Sequence, residues 1–294
     1  MEFLSKNLPY LLAGISVGGQ YALIAIGYTM VYGILRLINF AHGDIFMVAG
    51  LVTVYSTTVF PLYISIPLTL IVTVILGMSI ERVAYKPLRN APRMSVMISA
   101  IGVSYLLQNL ALYITGGLAQ PYPTIPFISD TITIGGATTK VVTVVTPILM
   151  IILVVGLMQL IHHTKIGMAM RSVSTDFATS RLMGIKVDSV ISMTFIIGSF
   201  LAAVGSILYF TNYPSVVPTS GGMPGLKAFV AAVFGGIGSI PGAVIGAMLI
   251  GVSENIIKGA GWTTFSDAFT FALLIVVLLV KPTGLFGEAA TDKV

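Results

Sequence analysis

Long apolar runs separated by short polar stretches set the pattern of this chain. The runs cover residues 9–32, 45–63, 66–80, 94–115, 141–161, 189–210, 226–252 and 269–280 and carry almost no charge. Most approach the ~20 apolar residues a helix needs to cross a ~30 Å hydrocarbon core. Backbone groups in lipid must be bonded within the chain, so these runs predict helices. The expected fold class is an all-α polytopic membrane protein with about eight transmembrane helices, some of them broken or re-entrant. No long polar segment divides the chain, so residues 1–294 are expected to form one transmembrane domain. Only Glu2 and Lys6 precede the first run and no small-residue cleavage site follows it, which reads as a retained helix and not a signal peptide. Gly14 and Gly18 on that run make a small-xxx-small step suited to close helix packing.

The polar interruptions carry the information. Arg36, Asn39, His42 and Asp44 fall within RLINFAHGD, and Gly43 permits unusual backbone there. A charge at mid-bilayer costs about 2.5–3.5 kcal/mol even on the lenient insertion scale. The stretch is therefore either an interfacial loop with its polar groups in water, or a broken helix whose polar turn lines a cavity. Next, ERVAYKPLRNAPR sets Arg82, Lys86, Arg89 and Arg93 against Glu81 alone, which marks the cytoplasmic side. Residues 116–140 hold only Asp130 and Lys140 and suit the opposite side, with TITIGGATT a candidate hairpin turning at Gly135 and Gly136.

Residues 162–188, HHTKIGMAMRSVSTDFATSRLMGIKVD, are the most polar internal stretch and again net basic. Met170, Val173 and Phe177 fall on one helical face, Ser174 or Thr175 could cap a second turn, and Gly184 followed by Lys186 is a stop signal. Such an amphipathic helix lies on anionic lipid or docks in a partner's groove. Farther on, TNYPSVVPTSGGMPG is uncharged and reads as an outer loop. Gly235, Gly236, Gly238, Pro241, Gly242 and Gly246 then crowd residues 226–252 with helix breakers. Two half-passes turning near GGIGSIPG would keep Lys281 cytoplasmic. They would leave Glu254, Lys258, Trp262 and Asp267 outside. RLINFAHGD and FGGIGSIPGA thus interrupt an apolar segment in each half, the pattern that points to a translocation path. The competing reading is glycine-mediated helix packing.

Composition narrows the chemistry. The chain is 56% hydrophobic and only 9% charged, far from the roughly 25% charged of soluble domains. With no cysteine, disulfides, thiol catalysis and thiolate metal sites are excluded. The net charge of +5 is explained by basic loops. There is no GxxxxGK[ST] phosphate loop, no HExxH, no GxSxG and no paired membrane carboxylates. His42 is the one histidine within the apolar region, too few members for a proton relay. No intrinsic energy source is visible in the chain. An ion-coupled secondary transporter and an integral-membrane enzyme are the readings from other classes.

The segments YALIAIGYTMVYGILRLINFAHGDIFMVAG, SIERVAYKPLR, TKIGMAMRSVSTDFATSRLMGIKV, AAVFGGIGSIPGAVIGA and KPTGLFG occur in order between Gln20 and Gly287. Together they resemble the permease subunit of branched-chain amino-acid ABC importers. The resemblance implies the ABC importer permease fold and a bacterial cytoplasmic (inner) membrane location. It implies a second permease (paralogue or copy), two cytoplasmic ATP-binding subunits that use ATP with Mg, and an extracytoplasmic substrate-binding protein. The cargo it implies is leucine, isoleucine or valine; an ABC permease for urea, amides, other amino acids or sugars is the nearest alternative. Residues 162–188 are similar to the family's ATPase-coupling segment, with Gly167, Arg171, Asp176, Arg181 and Gly184 on its pattern. The chain departs from it at Met168, where members often have Arg, and at Ser172, where they often have Ala or Cys. On that reading Met170, Val173 and Phe177 fill an ATPase groove while Arg171 and Arg181 meet its acidic rim. Asn39, His42 and Asp44, with Gly235, Gly236, Gly238 and Pro241, are the expected translocation path.

Overall fold

The computed structural model describes residues 2–89, 91–134 and 137–287. Its spine is α1 (Glu2–Leu35), which packs against α5, α8, α9 and α10. Gly14 and Gly18 allow the closest of these approaches. A Cβ on Gly14 would lie 2.8 Å from Val252 Cα, and one on Gly18 would lie 2.9 Å from Met248 Cα. The small-xxx-small step therefore serves helix packing, α1 running antiparallel to α10.

The other helices are α2 (His42–Thr57), α3 (Leu62–Ile80), α4 (Arg93–Thr115), α5 (Val141–His163), α6 (Lys165–Thr175), α7 (Phe177–Leu182), α8 (Val187–Asn212), α9 (Gly222–Gly235), α10 (Ile240–Gly259) and α11 (Ser266–Val280). Among the described residues, seven helical stretches are long and apolar enough to cross a membrane. Helices α2 and α9, with 16 and 14 residues, are short legs. Strands are confined to the loops: β1 (Gln120–Pro121) pairs antiparallel with β4 (Ser215–Val216), and β2 (Thr131–Ile134) with β3 (Ala137–Lys140). The TITIGGATT hairpin is present, while its turn at Gly135 and Gly136 lies outside the described residues.

One end of the bundle is basic. It gathers the Arg82–Arg93 connection, α6, α7 and the start of α8. There α3 runs on through a π-helical turn (Glu81–Tyr85) and a 3₁₀ turn (Lys86–Leu88). Glu81 is buried, paired with Arg89 and accepting from Ser192 Oγ at 2.9 Å; Arg89 also reaches Asp188. A basic end is the one the positive-inside rule expects to face the cytoplasm.

Two connections enter the bundle. Arg36 ends α1 in the left-handed region (φ 54°), and the chain climbs back so that α2 begins at the level of Gly27. Gly27 lies eight residues before Leu35, about 12 Å inside by the helical rise. From the opposite end, residues 213–221 descend until Gly221 meets Gly43: a Cβ on Gly43 would lie 2.6 Å from the Gly221 carbonyl oxygen. Helices α2 and α9 therefore start from one internal level and leave it in opposite directions.

The expected turn near GGIGSIPG is present, but of the two expected half-passes over 226–252 only the first is short. The first leg, α9, is short, but α10 has 20 residues and is long enough to cross. Their turn lies at the basic end, within 3.9 Å of a Cβ built on Gly33. The breakers make a tight helical hairpin: Gly236 adopts φ 106°, and Ser239 Oγ caps α10 by accepting from Gly242 N–H at 3.2 Å. Residues 281–287 cover it, Leu285 N–H and Phe286 N–H donating to the carbonyls of Phe234 and Gly235, each at 2.9 Å.

Candidate functional site

The buried polar turn at the start of α2 is the chemically most unusual place in the bundle. Asn39, His42 and Asp44 are 1%, 2% and 3% exposed, so the interfacial-loop reading fails and the helix is broken inside the bundle. Three elements supply their partners. Asn39 Oδ1 accepts from Tyr85 OH at 2.9 Å, off the π-helical turn, and from Ala41 N–H at 3.2 Å. Asp44 accepts from Ser104 Oγ at 2.5 Å and from Gln108 Nε2 at 2.9 Å, both on α4. The His42 ring stands edge-on to Tyr28 at 4.9 Å and faces Gly27, where any Cβ would collide with the imidazole. Asn39 Nδ2 and His42 Nε2 are buried without a protein partner. An orphaned donor or acceptor in such a place costs roughly 1–3 kcal/mol, so each such group calls for an explanation, an ordered water or a functional role among them.

The amino termini of α2 and α9 meet around this turn. A Cβ on Gly225 would lie 2.8 Å from Gly43 Cα and 3.3 Å from Tyr28 OH. Helix starts present unpaired N–H groups and positive dipole ends, and discontinuous helices of this kind surround substrate sites in transporters. The partner of RLINFAHGD is thus PTSGGMPG, read in sequence as an outer loop, and not FGGIGSIPGA. Gly235, Gly236, Gly238 and Pro241 stand together at the basic end, apart from Asn39, His42 and Asp44. Gly235 and Gly236 are buried in the hairpin, while Gly238 and Pro241 are exposed at its tip.

At the basic end the polar stretch folds into two short helices. Thr164 Oγ1 accepts from Gly167 N–H at 3.1 Å and opens α6, and Gly167 lets α6 fold tightly against the last turn of α5. The second cap is Asp176, not Ser174 or Thr175: its Oδ1 accepts from Ala178 N–H at 2.8 Å and Thr179 N–H at 3.2 Å, opening α7. A carboxylate there also complements the helix dipole, which a hydroxyl does not. Gly184 (φ 82°) stops α7, as its stop signal predicts. Met170 and Val173, expected to face a partner, are 4% and 1% exposed and pack into the chain's own core. The break at Asp176 separates Phe177, on α7, from the face that Met170 and Val173 bury. Exposed instead are Met168 (60%), Phe177 (39%), Leu182 (87%) and Met183 (77%), beside exposed Arg171 and Arg181.

Tyr85, Ser104, Gln108 and Gly27 were not singled out by sequence. Tyr85 and Gly27 sit inside the family-like segments, but nothing in their spacing tied them to Asn39 or His42. Ser104 and Gln108, four apart on one helix face, offered a faint polar stripe.

Broken helices meeting at a buried polar turn inside a multi-pass bundle are an arrangement found at transporter substrate sites. The family profile described as "Branched-chain amino acid transport system / permease component" matches residues 10–278, and the chain belongs to that family. It is 39% identical to the high-affinity branched-chain amino acid transport system permease protein BraD of Pseudomonas aeruginosa, over 98% of each chain. It is 39% identical to the permease protein LivH of Salmonella typhimurium and 37% identical to that of Escherichia coli K12. Each of these alignments spans 98% of this chain and 97% of the relative. No solved structure gives a significant match.

Proposed function

We propose that this chain is one of two pore-forming permeases of an ATP-binding-cassette importer that carries leucine, isoleucine and valine across the bacterial cytoplasmic membrane. The supporting observation is end-to-end similarity to high-affinity branched-chain amino-acid permeases. Two cytoplasmic ATP-binding subunits supply the work by hydrolysing ATP with Mg, an extracytoplasmic binding protein delivers the amino acid, and this chain performs no catalysis. Cargo passes the turn at Asn39, His42 and Asp44, where orphaned polar atoms give contacts strong enough to guide a zwitterion and weak enough to release it. The ATP-binding subunits grip α6 and α7 through Met168, Phe177, Leu182 and Met183, with Arg171 and Arg181 at the rim. Rigid-body motion reaches the bundle through the buried face, Met170 and Val173, and through Arg89, which holds the start of α8. Mild-detergent purification from the native membrane followed by mass spectrometry tests the assembly. Recovery of ATP-binding subunits and a second permease is expected; recovery of this chain alone would contradict it.

A further inference from the structure

An open groove of about 280 Å³ runs between α6 and the first turns of α8. Ile166 and Ala169 line it from α6, and Ile185, Val190 and Met193 from the other side, so that nearly all of its surface is apolar. Met170 and Val173 are the α6 residues that the core takes up; the neighbouring stripe is left over, with Ala169, Ile185 and Met193 half-buried and Ile166 42% exposed. Lys165 and Lys186 edge the groove, both exposed. Ile166 and Met168 lie about 200° apart around the axis of α6, so the groove and the face bearing Met168 are on different sides of that helix.

Charge and depth decide what fits. The carboxylates of this end are committed elsewhere. Asp188 pairs with Lys86 at 3.3 Å and with Arg89, Glu81 pairs with Arg89, and Asp176 accepts from the first N–H groups of α7. Among the described residues neither Lys165 nor Lys186 has an ion-pair partner, so the groove's edge carries two uncompensated positive charges. Helix α8 has 26 residues, about 39 Å, close to the ~40–45 Å of a bilayer with its headgroup layers. Lys186, at its N-cap, therefore stands at headgroup level, and Met193 lies seven residues on, about 10 Å deeper, where acyl chains begin. An acidic protein segment arriving from water would satisfy the lysines, but at the depth of Met193 its backbone would lack hydrogen-bond partners. Anionic lipids give the cytoplasmic leaflet its negative potential, and that is the leaflet a basic end is expected to meet.

We infer that this groove holds one anionic phospholipid, its phosphate between Lys165 and Lys186 and one acyl chain laid against Ile166, Ala169, Ile185, Val190 and Met193. The two uses open to an amphipathic segment, lipid and partner, then fall on different sides of α6. The bound lipid ties α6 to the start of α8 and leaves Met168 and Arg171 free to meet a partner. None of this depends on the cargo.

The test is native mass spectrometry of the full chain in detergent micelles, titrated with phosphatidylglycerol and, separately, with phosphatidylcholine of the same acyl chains. A saturable first adduct is expected with phosphatidylglycerol, forming at lower concentration than any with phosphatidylcholine. Lys165→Gln combined with Lys186→Gln is expected to weaken it about thirtyfold, about fivefold for each lysine, the usual order for a basic residue at an anionic surface. Lys165→Arg combined with Lys186→Arg is expected to retain it, showing that charge and not folding is lost. Glycerol phosphate, the headgroup without its chains, is expected not to displace the lipid. Equal binding of the two lipids, unchanged affinity in the glutamine pair, or displacement by glycerol phosphate would overturn the site. In the native membrane, a benzophenone side chain in place of Ile166 is expected to cross-link to lipid. Cross-linking to an ATP-binding subunit instead would give the groove to that partner and overturn the lipid site.

Discussion

Arg89→Met should be the most damaging single change at the basic end, and the magnitude follows from who depends on Arg89. Its guanidinium serves two carboxylates of unequal need: the Glu81 side chain is 1% exposed, that of Asp188 51%. A half-exposed ion pair contributes about 0–1 kcal/mol, because water serves each ion nearly as well. A buried carboxylate stripped of its cation costs about 3–5 kcal/mol. The remaining Ser192 hydroxyl at 2.9 Å offsets roughly 1 kcal/mol of that. Arg89→Met is therefore expected to lower unfolding free energy by roughly 3 kcal/mol, and Asp188→Asn by less than about 1 kcal/mol. The double variant Glu81→Gln, Arg89→Met should recover most of the loss, since no buried charge is then left uncompensated. Unfolding of the purified protein by SDS titration, followed by the fluorescence of Trp262 (the single tryptophan), measures all three. Equal costs for Arg89→Met and Asp188→Asn, or no recovery in the double variant, would refute this reasoning.

Gly27→Ala drives a methyl group into the His42 ring and should abolish most uptake with normal expression; adding His42→Ala should restore part of it, and failure to restore would show that the contact is not the cause. Asn39→Leu and His42→Leu should slow leucine uptake while leaving the half-saturating concentration nearly unchanged. Normal rates in both would make these side chains structural. On α7 and the turn after it, Leu182→Asp and Phe177→Asp should leave the chain folded and inserted yet uncouple ATP hydrolysis from uptake. Met170→Asp should instead reduce the folded yield, because it buries a carboxylate without a partner. Equal behaviour of the exposed and buried positions in blue-native gels and ATPase assays would remove the assignment of faces.

Much of the fold was legible because lipid leaves the backbone few choices. Runs such as 94–115 and 141–161 became α4 and α5 within two residues at either end. Gly184 and Gly14 did what glycines at such positions predict. The broken helix at His42 was visible as one of two readings, since Arg36, Asn39, His42 and Asp44 interrupt apolar sequence. The choice between them depended on tertiary partners, Tyr85, Ser104 and Gln108, that lie 46 to 64 residues away in the chain. The chain reversal near GGIGSIPG was legible, but its depth in the bundle was not, because glycine clusters mark both tight packing and chain breaks. GGIGSIPG formed a hairpin, while the uncharged PTSGGMPG entered the bundle because it carries nothing that demands water. The faces of α6 were inverted for a related reason. An apolar stripe identifies what is buried, and on a helix attached to its own core the first thing available to bury it is that core.

The most direct measurement is leucine uptake into proteoliposomes holding this chain with its co-purified partners, binding protein outside and ATP with Mg sealed inside. Uptake that requires both ATP and binding protein, and that a protonophore leaves unchanged, is the expected result. Leucine transport by this chain alone, indifferent to ATP and abolished by the protonophore, would contradict an ATP-driven permease and make the turn at Asn39, His42 and Asp44 an ion-coupled site.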